Sequence, residues 1–377
     1  MDDARLIWAD SDSSADLYYA TRFFAPDPFL FLQESSGKTH MVVTSLEVDR
    51  ARRTARVDAI HNWVDVKERW LRQYPYQEST PGILIVFFLQ ELGIQQAKVP
   101  GNFPLVVADR LRAAGIEIIP EEDIFWPQRA IKTTEEIGLI EAALTVTGLG
   151  MEAGISMIRT ATIGEEGMLL LDGAPLTCER VRGEIHAALV RVGAAPHHTI
   201  VAGGQQGADP HEVGSGPLYA GQPIILDIFP RMESTGYWGD MTRTVCRGPA
   251  GQKVRMAWEA VRIAQEVAFG AIRAGVSGLA IHEAVTASLT QAGFSTATDA
   301  QGRQEGFFHG TGHGLGLEIH EYPRVNTHDQ ILQVGHVITV EPGLYYPEWG
   351  GVRLEDVVVV EVNGCRNLTR FPKFLEI

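Results

Sequence analysis

Gly351-VRLEDVVVVE-Val362 is the stretch on which the reading of the larger, C-terminal part of this chain turns. Its β-branched run reads as a buried strand, yet Arg353 and Glu355 lie inside it. Strand alternation puts those two on one face and Val352, Leu354 and Asp356 on the other. Just upstream, Gly335-HVITVEP-Gly343 repeats the theme, with Glu341 closing an apolar run. Two helices are expected before it, over Gln252–Arg273 and over Ser277-GLAIHEAVTASLTQA-Gly293, the second with a serine cap and a glycine stop. Further upstream the same order recurs. A long helix from about 135 to 158 is announced by the capping-box pair Thr133 and Glu136. A second follows in Thr177-CERVRGEIHAALVRV-Gly193, and then the strands Gln222-PIILDIF-Pro230 and Gly236-YWGDMTRTV-Cys246. Two helix-helix-strand-strand halves are therefore expected, each with two acidic residues on its late strands.

The preceding part reads as a smaller α/β unit. Strands are expected over Pro28–Gln33, His40–Asp49 and Ile116–Glu121, and helices over Ile83–Gly93 and Leu105–Gly115. Nothing in it gathers His, Cys, Asp and Glu as chemistry would require. A boundary near Trp126 gives domains over 1–126 and 127–377, in line with a length of 377 residues. The net charge of −15, from 47 acidic against 32 basic residues, argues against nucleic-acid or anionic-membrane partners. Cys178, Cys246 and Cys365 are widely spaced and odd in number, so no disulfide framework is indicated. With no visible signal peptide and no stretch judged long enough to span a bilayer, a cytoplasmic setting is expected.

Any one of the strand carboxylates could be structural. Asp227 inside Ile224-ILDIF-Pro230 is costly to bury unless paired or metal-bound, and Asp240, Thr242 and Thr244 could form a solvated face. Four carboxylates on four apolar strands are harder to dismiss. The fifth candidate is His313 in the glycine-rich run His309-GTGHGLGLEIH-Glu321, where glycines let backbone approach a ligand closely. Phosphate-loop and HExxH patterns are both missing there. Oxygen donors with one imidazole suit Mn, Co, Fe or Zn. Two such ions about 4 Å apart can activate a water and stabilise a tetrahedral intermediate.

These motifs resemble the pita-bread metallopeptidases: Xaa-Pro dipeptidase (prolidase), Xaa-Pro aminopeptidase and, more distantly, methionine aminopeptidase. The matching stretches are Asp209-PHE, Asp227-IFP, Gly239-DMTRT, Gly312-HGLGLEIHE, Thr339-VEPG and Gly351-VRLEDVVVV, with Arg129-AIKTTEEIGLIEAA similar to the family's entry helix. The resemblance implies an α+β fold: a C-terminal pita-bread catalytic domain with pseudo-two-fold halves, behind a creatinase-type α/β domain. It implies two divalent ions per chain, manganese foremost. Asp227 would chelate the first, Asp240 and Glu355 would bridge both, and His313 and Glu341 would complete the second. Glu341 would also carry the proton from water to the leaving amine, and His211 and His320 would meet the substrate and its developing oxyanion. Taken alone, His320 could equally orient the glycine loop and His211 could be a turn residue. Arg353, where the methionine-specific cousins carry glutamine, is similar to the proline-peptidase branch. The implied partners are a short peptide substrate and a second copy of the chain in a homodimer. In one respect the chain departs from the pattern: the segment Phe229-PRMESTGYWG between Asp227 and Asp240 is longer than usual, which predicts an altered pocket rim. Two other readings of the same fold stand beside this one, a metal-independent amidinohydrolase of creatinase type and a non-catalytic binding protein.

Overall fold

In a computed structural model, which describes residues 3–122 and 124–377, the chain divides into two units, Met1–Pro127 and Gln128–Ile377. The first unit runs β1 (Ala4–Ala9), α1 (Ala15–Thr21), β2 (Phe29–Gln33), β3 (Thr39–Val43), α2 (Val48–Thr54), β4 (Ala59–Asn62), α3 (Trp63–Gln73), α4 (Pro81–Glu91), β5 (Gln96–Pro100), α5 (Leu105–Ala113) and β6 (Glu117–Glu121). Its strands form one mixed sheet in the order β4-β3-β2-β1-β5-β6. The Phe-Leu-Phe-Leu run of β2 is apolar throughout because the sheet is covered on both faces. Leu30 and Leu32 pack with α4 and α5 residues such as Phe88 and Leu111. Phe29 and Phe31 pack on the opposite layer with Leu17 and Ala51. The expected strand over His40–Asp49 is corrected: it ends at Val43, and Val48 begins a helix. Glu47 N–H donates to Thr44 O at 3.0 Å in an intervening turn, and Leu46 is 89% exposed.

The second unit begins with α6 (Thr134–Thr160), where Thr133 and Glu136 form the capping box. Then come the short strands β7 (Thr162–Ile163), β8 (Leu169–Leu171) and β9 (Ala174–Pro175), α7 (Cys178–Val190), β10 (Ala194–Ala195), β11 (Ile200–Gly203), β12 (Ile224–Ile228), β13 (Arg231–Met232) and β14 (Met241–Val245). The second half has α8 (Gln252–Ala271), α9 (Gly278–Gln291), β15 (Ala297–Thr298), β16 (Gln304–Glu305), β17 (Gly312–Gly314), β18 (Glu321–Val325), β19 (Val337–Val340), β20 (Gly343–Tyr346), β21 (Gly350–Arg353), β22 (Asp356–Val360) and β23 (Cys365–Asn367). Sheet β11-β12-β14 is backed by α6 and α7 through Met151, Ile155, Ile185, Leu189 and Leu226. Sheet β18-β17-β19-β22-β23 is backed by α8 and α9 through Val261, Ala264, Ile281, Val285, Ile338 and Val358. The two halves expected from the element order are thus present.

Two expectations fail on detail. Gly351–Val362 is two strands, broken at Leu354–Glu355, where the chain leaves the β20–β21 pair and joins the five-stranded sheet. The 27-residue α6 is long and apolar enough to cross a membrane, contrary to the expectation that no stretch is. Its apolar stripe serves packing instead, since Ile140, Leu144, Met151, Ile155 and Ile158 are buried inside the unit.

Candidate metal centre

The candidate ligands come from strand interiors, strand ends and tightly packed glycine neighbours. Asp227 lies in β12 between Ile200 of β11 and Thr242 of β14. Asp240 directly precedes β14, and Gly239 before it lies hard against α6: a Cβ there would fall 2.2 Å from Thr147 Oγ1 and 2.8 Å from Ala143 O. His313 is carried by β17, which is squeezed between β18 and β19. A Cβ at Gly312 would stand 1.9 Å from Thr339 O, and one at Gly314 2.3 Å from Tyr322 O. Only glycine admits that approach on either side of the histidine. Glu341 leaves the end of β19, and Glu355 occupies the break between β21 and β22.

The five side chains line one cavity of about 560 Å³. Asp240, His313 and Glu355 offer ligand atoms within 4.8 Å of one another, and all three are buried. His313 Nε2 lies 3.3 Å from Glu341 Oε1 and 3.7 Å from Asp240 Oδ2. Its Nδ1 is 3.1 Å from Gly314 O, which assigns the proton to Nδ1 and leaves the Nε2 lone pair facing the carboxylates. Burial, with His320 next, lowers His313 to about 3, so these contacts are not ion pairs at neutral pH. Burial first, then the Asp227 and Glu341 charges, pushes Asp240 well above the usual carboxylate range. Burial and then Asp240 do the same to Glu355, and burial raises Glu341 to about 7. The Thr242 hydroxyl lies 2.8 Å from both Asp227 Oδ1 and Glu355 Oε2. It has one proton to give, so unless a cation compensates, one contact needs a protonated carboxyl. A neutral imidazole facing crowded carboxylates fits divalent ions.

The other predicted residues divide in two. His211 and His320 line the same cavity from separate loops, and the His320 ring stands edge-on to His313 with centroids 4.3 Å apart. Burial lowers His320 from its ordinary value. Arg353 lines the cavity too, but it faces a carboxylate: its Nη2 donates to Asp227 Oδ2 at 2.7 Å and its Nη1 to Tyr345 Oη at 2.8 Å.

Several neighbours carried no local signal in the sequence. His309 Nε2 lies 2.9 Å from Tyr345 Oη, extending the Asp227–Arg353–Tyr345 chain along the cavity wall. Arg324 lines the cavity, and no ion pair engages its guanidinium among the described residues. Arg243, read onto the face away from Asp240, is 1% exposed and donates to Thr242 O at 2.8 Å and Glu355 O at 2.7 Å, bracing the ligand strands from behind. Glu321, next to His320, bonds Arg129 Nη2 at 2.8 Å and Lys132 Nζ. The extended Phe229–Gly239 segment reaches the same loop: Trp238 N–H donates to Gly316 O at 3.0 Å and Trp238 Nε1–H to Leu317 O at 3.1 Å, while Phe229 lines the cavity.

With this geometry in hand, the comparisons with known proteins point one way. The model of metallopeptidase family M24 matches residues 138–361. An Xaa-Pro dipeptidase of Pyrococcus furiosus is 32% identical over 262 residues, 67% of this chain and 67% of that protein. An uncharacterized peptidase of Bacillus subtilis, YqhT, is 31% identical over 313 residues, 80% of this chain and 78% of the other. Among solved structures, an Xaa-Pro dipeptidase from Bacillus anthracis superposes with a TM-score of 0.82 at 25% identity, covering 100% of this chain and 95% of that one. The prolidase from Pyrococcus horikoshii gives 0.79 at 25% identity, over 99% and 95%.

Proposed function

The chain belongs to metallopeptidase family M24 and has its pita-bread fold, and from this we propose that it hydrolyses short peptides at the bond before proline. In this reading Asp227, Asp240, His313, Glu341 and Glu355 hold two divalent ions. The observation that carries it is the convergence of four carboxylates and one neutral imidazole in a single cavity. Mostly oxygen donors with one nitrogen suit manganese, with cobalt, zinc or iron as alternatives. Bound ions would supply a polarised carbonyl and a water of lowered pKa.

The chain's own residues do the rest. Glu341 would take a proton from the attacking water and return it to the leaving amine. Thr339 Oγ1, 3.5 Å from Glu341 Oε1, flanks that carboxyl. Arg353 and Thr242 together fix both oxygens of Asp227. His211 and His320 reach the substrate from opposite loops. Phe229, Ile200, Phe308 and Ile319 give the cavity an apolar wall, suited to a proline ring, which lacks an amide hydrogen and so offers no donor there. Arg324 is placed to receive the C-terminal carboxylate of a dipeptide. Three unpaired cysteines accord with a reducing, cytoplasmic setting.

Two outcomes check this reading. With Mn held constant, Xaa-Pro dipeptides are expected to be cleaved faster than matched Xaa-Ala dipeptides. Equal or better rates on Xaa-Ala would retire the proline assignment. Arg324→Ala is expected to raise KM for a dipeptide by about 10- to 100-fold, as losing one charge-assisted hydrogen bond does. The same dipeptide with an amidated C-terminus should show no such change, and an equal rise for both substrates removes the carboxylate role.

A further inference from the structure

Gln265 lies in α8 on the face that buries Val254, Ala257, Val261, Ala264 and Ala268, and it is itself fully buried. A primary amide in such a stripe is unfavourable unless its groups are matched. Its Nε2 donates to two carbonyls, Val340 O at 2.8 Å and Leu354 O at 3.2 Å. Its Oε1 is buried without a hydrogen-bond partner. The residue therefore leaves one acceptor orphaned while serving two carbonyls of other strands.

Those carbonyls belong to the residues directly before Glu341 and Glu355. Strands β19 and β22 pair as far as Val340↔Asp356, and β20 and β21 pair from Gly343↔Arg353. Between the two paired stretches the ladder thins, with Glu341-Pro342 on one side and Leu354-Glu355 on the other, and Leu354 N–H to Pro342 O at 3.4 Å is the main-chain bond that crosses it. In the gap the glutamate amides turn to other strands: Glu341 N–H donates to Thr311 O at 2.8 Å and Glu355 N–H to Thr242 O at 3.1 Å. Pro342 has no amide hydrogen to offer. Buried carbonyls need donors, and Gln265 donates to both of these at once.

We propose that Gln265 is a positioning residue for the metal centre: by donating to Val340 O and Leu354 O together it ties the two strands where their ladder thins and sets the backbone from which Glu341 and Glu355 project. This rests on the reading of those glutamates as metal ligands. An apolar side chain at 265 would take a donor from both carbonyls, and Leu354 O, which faces Pro342 and its missing amide hydrogen, would lose the one Gln265 supplies. Both hydrogen bonds of Gln265 go to main-chain carbonyls, so its effect passes through the main chain.

The test compares wild type with Gln265→Met, which keeps length and helix propensity, and with Val285→Ala, which thins the same core from α9. Bound Mn is measured by elemental analysis after equilibrium dialysis across a concentration series, alongside melting temperature and steady-state kinetics. Gln265→Met is expected to raise the Mn concentration for half-occupancy at least about tenfold, as losing support behind a metal ligand does. It should also lower kcat while KM changes by less than about threefold. Val285→Ala is expected to melt lower but to bind Mn as wild type does. Wild-type Mn binding in Gln265→Met, with only a lower melting temperature, overturns the inference and leaves an ordinary core contact. Should Gln265→Met not fold, Gln265→Asn, which keeps the amide on a shorter stem, gives the same readout. If the wild-type protein itself binds no Mn, the reading of the site falls, and this inference with it.

Discussion

Asp240→Ala is expected to abolish peptide hydrolysis while leaving the protein folded. Loss of what is proposed to be a bridging ligand should lower turnover by on the order of a thousandfold or more, about 4 kcal/mol of transition-state stabilisation. The fold should survive because Asp240 is one of several carboxyls forced together. Asp240, Glu341 and Glu355 all have folded-state pKa values above their unfolded ones. Such groups favour the folded state below the unfolded carboxyl range, and that contribution is lost as pH rises through the folded values, through about 7 for Glu341. Removing one carboxyl relieves the crowding. In chelator, Asp240→Ala should therefore melt no lower than wild type at pH 8, and the two should converge or reverse toward pH 4. Calorimetry across that range checks it, and a variant that unfolds at pH 8 contradicts it.

Glu341→Gln is expected to lower kcat by about a hundred- to ten-thousandfold, the usual contribution of a positioned acid–base group, with far less change in KM. Glutamine keeps the size and an oxygen toward His313 Nε2, now at 3.3 Å from the carboxylate, but cannot shuttle a proton. Stopped-time assays at saturating Mn, with bound ions counted on the same sample, decide the matter. Near-normal turnover would rule Glu341 out as the proton carrier.

Much of the architecture was legible because helices and strands differ in apolar period, and because caps and glycines mark the ends. Thr133 with Glu136, Thr177 and Ser277 each cap a helix. The carboxylate candidates stood out because they lie in or beside apolar strand-like runs, and His313 because it lies in a glycine-rich one. What escaped did so for physical reasons. The break at Leu354–Glu355 has neither glycine nor proline; it is made by α8 and β14, which lie far away in sequence. His40–Asp49 read as one strand because Leu46 and Val48 extend its apolar count, although Leu46 faces solvent. Arg324, His309 and Gln265 are single residues whose importance comes from tertiary neighbours alone. Thr242 was placed on Asp240's face, but nothing local shows that its hydroxyl would sit between two carboxylates of different strands. Arg353 was read beside Glu355, whereas its bonded partner is Asp227, carried by β12.

The division of the second unit into halves has a thermodynamic consequence. Asp227 and Asp240 come with the first sheet, and His313, Glu341 and Glu355 with the second half, so neither half offers the full proposed donor set. An ion bound there acts as a reversible cross-link between them. By mass action, free ion at a hundredfold over its Kd adds about 2.7 kcal/mol to the folded state. Resistance to opening would then track the supply of metal around the protein, and scarcity would expose the chain to proteases at the same concentrations at which it stops catalysis.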